Sequence, residues 1–187
     1  MNRSTRCAAA AVLLILPTAA AAQSRGPVWA TISAGRGDLA VSCNICRSAE
    51  QSSWTADVSV GGWVGKRTKL GGELGLWRRG GDDASQRTML IGAVGQHYPF
   101  PFPTFIKAGV GLMTYSATNV DESLSAGSLA LQAGVGVDIP AWRQYIVVPH
   151  ATLVQGVNSG LYLNDARVTG WSRLPLVRLG VGVGVGK

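Results

Sequence analysis

The sequence predicts an all-β chain, an eight-stranded up-and-down antiparallel transmembrane β-barrel. Three observations predict it. The first is alternation. In the run 128–139, Leu129, Leu131, Ala133, Val135, Val137 and Ile139 share one face, and Ala130, Gln132, Gly134, Gly136 and Asp138 share the other. A period of two belongs to a strand. The apolar face is as long as the roughly 9–11 residues that a tilted strand needs to cross a bilayer. The second is composition. The chain holds 25 glycines and only 14% charged residues, and its apolar residues alternate with glycine instead of clustering at helical spacing, which points to a glycine-rich sheet. The third is the connections, which alternate between short and long along the chain.

Eight runs carry the alternation: 27–35, 54–64, 70–78, 88–98, 105–116, 128–139, 145–156 and 176–186. In the first, Trp29, Thr31 and Ser33 oppose Val28, Ala30 and Ile32. In the second, Trp54, Ala56, Val58, Val60 and Val64 oppose Thr55, Asp57, Ser59, Gly61 and Trp63. Leu70, Leu74 and Leu76 oppose Gly71, Glu73, Gly75 and Trp77 in the third. The fourth is apolar throughout 89–94, which leaves its faces unassigned. The fifth sets Ile106, Ala108, Val110 and Leu112 against Lys107, Gly109, Gly111, Met113 and Tyr115. Pro149 in the seventh lacks an amide donor, so it belongs at a bulge or near a strand end. The eighth alternates Val177, Leu179, Val181, Val183 and Val185 with Arg178 and glycines.

The connections 65–69, 99–104 and 140–144 read as short turns, and 36–53, 79–87, 117–127 and 158–173 as longer polar loops. Bacterial outer-membrane barrels have short turns on the periplasmic side and long loops outside, and an even strand number puts both termini on the short-turn side. Aromatics near the run ends (Trp29, Trp54, Trp77, Tyr98, Phe105, Tyr115, Trp142, Tyr145 and Trp171) fit interfacial girdles.

The segment 1–22 reads as a secretory signal peptide: Arg3 and Arg6 precede an apolar core around Val12–Leu16, followed by small residues to Ala22. Its apolar stretch is short for a membrane helix. Residues 23–187 then form one barrel domain. The formal charge of +7 is spread through turns and strands, with no basic cluster interleaved with aromatics, which excludes a nucleic-acid surface.

These features resemble the small eight-stranded outer-membrane β-barrels of the OmpA/OmpX type. The residues that carry the resemblance are the leader ending Ala-Ala-Ala-Gln, Leu-Gly-Gly-Glu-Leu-Gly-Leu-Trp at 70–77, Phe-Ile-Lys-Ala-Gly-Val-Gly-Leu at 105–112 and Leu-Gln-Ala-Gly-Val-Gly-Val-Asp at 131–138. The resemblance implies a monomer in a Gram-negative-type outer membrane. Its expected partners are outer-membrane lipid, the barrel assembly machinery and an extracellular partner at the long loops. Such barrels usually end in an aromatic residue, where this sequence ends Val-Gly-Val-Gly-Lys187.

With the apolar face on lipid, the polar face fills a lumen only just wide enough for side chains. It carries Asp57, Glu73, Lys107, Gln132, Asp138, His150, Thr152 and Arg178. A buried charge needs a partner. We therefore expect an ion-pair network among Asp57, Glu73, Lys107, Asp138, His150 and Arg178, centred on Glu73, Lys107 and Arg178, that plugs and orders the lumen. The role expected is structural or surface-interacting. Three alternatives stand beside it: a narrow solute or ion channel, a lipid-modifying enzyme using Ser116 or Ser159 with His150 and Asp138, and a soluble lipocalin-like barrel with its apolar faces inward.

Cys43-Asn44-Ile45-Cys46 lies in the longest early loop. After export, a loop disulfide is the favoured reading, with metal or redox use as alternatives. Arg36-Gly37-Asp38 reads as a Gly-Asp turn, with adhesion as its sharper alternative. Gly180, Gly182 and Gly184 alternate on a strand and line the barrel; they do not form a nucleotide fingerprint. The sequence singles out no catalytic residue, cofactor site or metal site.

Overall fold

Alternation along each run decides which side chains the closed sheet turns inward, and β-branched and aromatic residues supply the strands. The computed structural model describes residues 28–43, 50–81, 84–119, 123–164 and 166–185. Its strands are β1 (Val28–Ala40), β2 (Ser42–Cys43), β3 (Glu50–Trp63), β4 (Thr68–Gly80), β5 (Ala84–His97), β6 (Thr104–Asn119), β7 (Ser123–Val137), β8 (Ile139–Trp142), β9 (Tyr145–Leu163) and β10 (Ala166–Val185). The eight long strands pair antiparallel in the order β1-β3-β4-β5-β6-β7-β9-β10, and β10 returns to β1, from Ala30↔Val185 to Leu39↔Leu176. The barrel is closed and up-and-down. Short β2 and β8 lengthen the ladders of β10 and β9. Val28 and Val185 lie at the same end, the lower end below.

The strands outrun their expected limits. Most residues expected in long polar loops are strand: β4 and β5 stay paired to Gly80↔Ser85, β6 and β7 to Thr118↔Ser123, and β9 and β10 to Leu163↔Ala166. Serine and threonine pair their backbones as readily as valine does. Their polarity reports water beside the strand, not the end of the ladder. The upper connections 81–83 and 120–122 are in fact shorter than the lower connection 98–103. The cysteine pair and the segment 1–22 are not placed, because Cys46 and the leader lie outside the described residues.

Two prolines sit where a long strand changes partner. β9 pairs with β7 as far as His150 and with β8 only up to Val147, so Pro149 falls in the gap. β10 pairs with β1 as far as Leu176 and with β2 only at Ser172 and Arg173, which brackets Pro175. A residue without an amide hydrogen costs no ladder bond at such a break.

Most of the expected girdle aromatics point inward. Trp29, Trp77, Tyr98, Phe105 and Tyr115 are buried inside the barrel, while Trp54, Trp142 and Tyr145 are exposed. The buried rings share the parity of the polar face. The wholly apolar fourth run is explained by Leu90 and Val94 facing inward while Met89, Ile91 and Ala93 face outward.

Closing so narrow a cylinder brings inward-facing backbones close together. Gly61 faces Gly71 across the β3–β4 ladder. A Cβ on Gly61 would lie 2.0 Å from the Leu70 carbonyl oxygen, and one on Gly71 2.2 Å from that of Val60. The neighbouring Gly62 faces outward with open space around it. Gly61→Ala is therefore expected to destabilise the barrel by about 1–3 kcal/mol through backbone displacement, and Gly62→Ala by less than about 0.5 kcal/mol, as read by urea unfolding of the two variants in the same detergent.

Candidate functional site

The inward side chains stack in three layers. The lower layer is aromatic around one ion pair. Lys69 at the start of β4 places its Nζ 2.7 Å from Asp138 Oδ2. The same oxygen accepts the Tyr98 hydroxyl at 2.6 Å. Burial first, and then the Asp138 carboxylate, push the Tyr98 phenol above its ordinary value. The ammonium lies 4.9 Å from the Trp63 ring centroid and 5.0 Å from that of Tyr98, within cation–π range. Trp63 stacks on Tyr98, and Tyr98 tilts against Phe105.

The middle layer is charged. Register sets Ser33 of β1 opposite Asp57 of β3, and Ser59 of β3 opposite Glu73 of β4. Glu73 Oε1 takes Arg178 Nη2 at 2.8 Å, and Glu73 Oε2 takes the Lys107 ammonium and the Ser59 hydroxyl. Arg178 crosses from β10, and Gly75 makes room for it: a Cβ there would lie 2.8 Å from Arg178 Nη1. That Nη1 also lies 3.6 Å from Asp57 Oδ1, and His150 Nε2 approaches the same oxygen at 3.8 Å. Ser33 donates to the other Asp57 oxygen. Gln132 Oε1 accepts from Arg178 Nη2 at 3.4 Å. Two carboxylates thus meet a lysine and an arginine, all buried.

The upper layer is apolar. Leu39, Trp77, Leu90, Met113, Tyr115, Ala126, Ala130, Val154, Leu174 and Leu176 form one cluster. Trp77 donates its indole N–H to the Gly37 carbonyl at 2.8 Å. On β1, β4, β6, β9 and β10 the cluster residues stand above that strand's polar inward residues, while on β5 and β7 the buried Thr88 and Ser128 lie among them.

Of the six side chains named from the sequence, the structure brings Asp57, Glu73, Lys107, His150 and Arg178 together. It sets Asp138 apart, in the lower layer with Lys69 and Tyr98. Lys69 was missed because it was read as turn. Extending the alternation Glu73, Gly71 by one step would have placed it inward. The apolar upper layer was missed as well, and its signal was the fourth run, apolar on both faces. Among the described residues, Ser116, His150 and Asp138 do not come together: Ser116 is exposed on the outer face, His150 points inward, and Asp138 is committed to the lower layer. The Ser159 side chain lies outside the description.

No protein-family model and no curated protein sequence matches the chain. Solved structures do. Ail, the attachment invasion locus protein of Yersinia pestis, superposes with a TM-score of 0.58 at 14% identity, over 86% of this chain and 99% of Ail. The fold is that of the small eight-stranded outer-membrane barrels. Neisserial surface protein A gives a TM-score of 0.55 at 12% identity, over 87% of this chain and 100% of its own. Ail in complex with the heparin analogue sucrose octasulfate gives 0.57 at 12% identity, over 84% and 98%.

The charged layer predicts its own test. Glu73→Gln strips two buried cations of their shared partner and is expected to cost about 3–5 kcal/mol. Glu73→Leu combined with Lys107→Met removes partner and cation together and recovers part of that loss, as measured by the midpoints of urea unfolding.

Proposed function

We propose that this chain is a monomeric integral outer-membrane barrel with a plugged, non-conducting lumen, and that its role is structural or surface-interacting. One observation carries the reading: the barrel reverses its polarity along its axis. In the lower part the outside is apolar, with Val28, Ile32, Val58, Leu74, Ile91, Val110, Leu131, Leu153 and Val181 exposed on successive strands, and the inside is charged. In the upper part the outside carries Arg36, Asp38, Glu50, Ser52, Arg78, Ser85, Thr114, Ser116 and Ser125, all exposed, and the inside is the apolar cluster. An exposed apolar belt on every strand is far larger than a soluble surface carries, which speaks against the lipocalin-like reading. A belt topped by a water-facing extension fits a barrel held in lipid with its upper hairpins outside.

Among the described residues the charged layer lies between a floor of aromatic rings around Lys69 and Asp138 and a mainly apolar roof. This favours a plug over a channel. The upper hairpins are the surface offered to an extracellular partner. The expected partners within the envelope are lipid and the barrel assembly machinery.

The test uses the membrane-fraction protein. Its mobility in cold detergent is expected to shift on boiling, and planar bilayers holding it are expected to show no steady conductance step. Steady conductance would overturn the plugged lumen. Recovery in the soluble periplasm with no shift would overturn the membrane reading.

A further inference from the structure

On four adjacent strands an arginine or a tryptophan marks the place where the outer face turns from apolar to polar, in a row that climbs with the strand tilt from Arg36 to Arg87. Direct cross-strand pairing sets Arg36 opposite Trp54, Trp54 opposite Arg78, and Arg78 opposite Arg87. All four side chains are exposed on the outer face. Two residues below them on the same strands stand Ala34, Ala56, Leu76 and Met89. The row continues through Ser116 and Ser125 on β6 and β7, so the cations cover one side of the barrel.

Arg78 and Arg87 are directly opposed, an arrangement in which like charges repel. No described carboxylate forms an ion pair with Arg36, Arg78 or Arg87. Arg87 Nη2 lies 2.6 Å from Met89 Sδ, and the three guanidiniums, exposed and without an ion pair among the described residues, are open to an anion from outside. A guanidinium fork matches phosphate in two parallel hydrogen bonds, and the exposed Trp54 indole between them suits a headgroup level.

The row spans three strand spacings, roughly 14 Å, which is wider than one phosphate. At its Arg36 end the outer wall holds a groove of about 680 Å³ between β1, β10, β9 and β7. Ala34, Val135, Ala151, Leu179 and Val181 line it, and Arg36 stands at its upper edge. A cation over an apolar groove complements an anionic head on an acyl chain.

We propose that this face binds a lipid carrying two phosphates from the surrounding leaflet, with its phosphates on Arg36, Arg78 and Arg87 and an acyl chain in the groove below Arg36. The proposal rests on the membrane reading above. Its position argues for a lipid over a soluble polyanion, because the arginines stand directly on the apolar belt and not on the hairpin tips.

The full chain is reconstituted in phosphatidylcholine vesicles with or without bis-phosphorylated lipid A, and bound lipid A is counted by native mass spectrometry after release. The unmodified protein is expected to retain lipid A. The Arg36→Ser/Arg78→Ser/Arg87→Ser variant is expected to bind it at least about tenfold more weakly. Ala34→Leu with Ala151→Leu, which fills the groove, is expected to weaken binding too, and Lys66→Ser with Arg67→Ser at the lower end to leave it unchanged. Equal retention by the unmodified protein and the triple variant would overturn the proposal. Arginine-dependent binding of soluble sucrose octasulfate without retention of lipid A would overturn it in favour of a soluble polyanion. The boiling-dependent shift in phosphatidylcholine alone separates the two readings: a shift without lipid A retention refutes this site, and no shift in any vesicle refutes the membrane reading with it.

Discussion

Eight strands enclose a lumen with room for one layer of side chains at each level, and most of this structure follows from that width. Several large inward side chains lie against a glycine on another strand. Gly75 faces the Arg178 guanidinium, Gly136 the Phe105 ring, and Gly37 the Trp77 indole; a Cβ at any of the three would meet those groups at 2.4–3.1 Å. Where no large side chain arrives, as at Gly61 and Gly71, the backbones themselves close the space. The glycine content is the complement of the large inward residues, and the two sets must be read together.

The same width explains why the charges are concentrated in one layer. A carboxylate in so narrow a space cannot keep its water, so its partners come from neighbouring strands and from across the lumen. Glu73 and Asp57 are each served from three other residues, and Arg178 joins them. The four charged side chains are buried, which strengthens each pair and raises the cost of breaking one. The layer carries some cost as it stands: Arg178 Nε, Gln132 Nε2 and Thr152 Oγ1 are buried without a hydrogen-bond partner.

Parity made most of this legible in the sequence. It identified the eight strands, and it put Glu73, Lys107 and Arg178 on faces that a closed barrel turns inward. It also held information that proximity to strand ends obscured. Trp29 alternates with Thr31 and Ser33, and Trp77 with Gly75 and Glu73, so both belonged inside despite their girdle-like positions. Strand ends were less legible, because a serine- or threonine-rich stretch with water on one side pairs as well as an apolar one. Which layer a side chain joins was not legible at all. Asp138 has the parity of the charged layer, but cross-strand register carries it down to Lys69, and register is set by pairings that a single strand does not encode.

The polarity reversal along the axis is what lets one set of strands serve two solvents. On the proposed membrane reading the outer face above the belt meets water, and a sheet exposed to water on its outside must find its core inside. Leu39, Trp77, Tyr115, Leu174 and Leu176 supply that core at the upper ends of their strands. Within the belt the roles exchange: the outer face is apolar, and the lumen takes the charges. β1 makes the change without breaking its alternation, running outward through Val28 and Ile32, then inward at Leu39 with Arg36 and Asp38 outside. Because only residue type changes while backbone pairing continues, the described upper strand ends carry on the ladders of the belt, with register shifts on β7, β9 and β10. Their packing is then drawn from the internal cluster and not from the outer face.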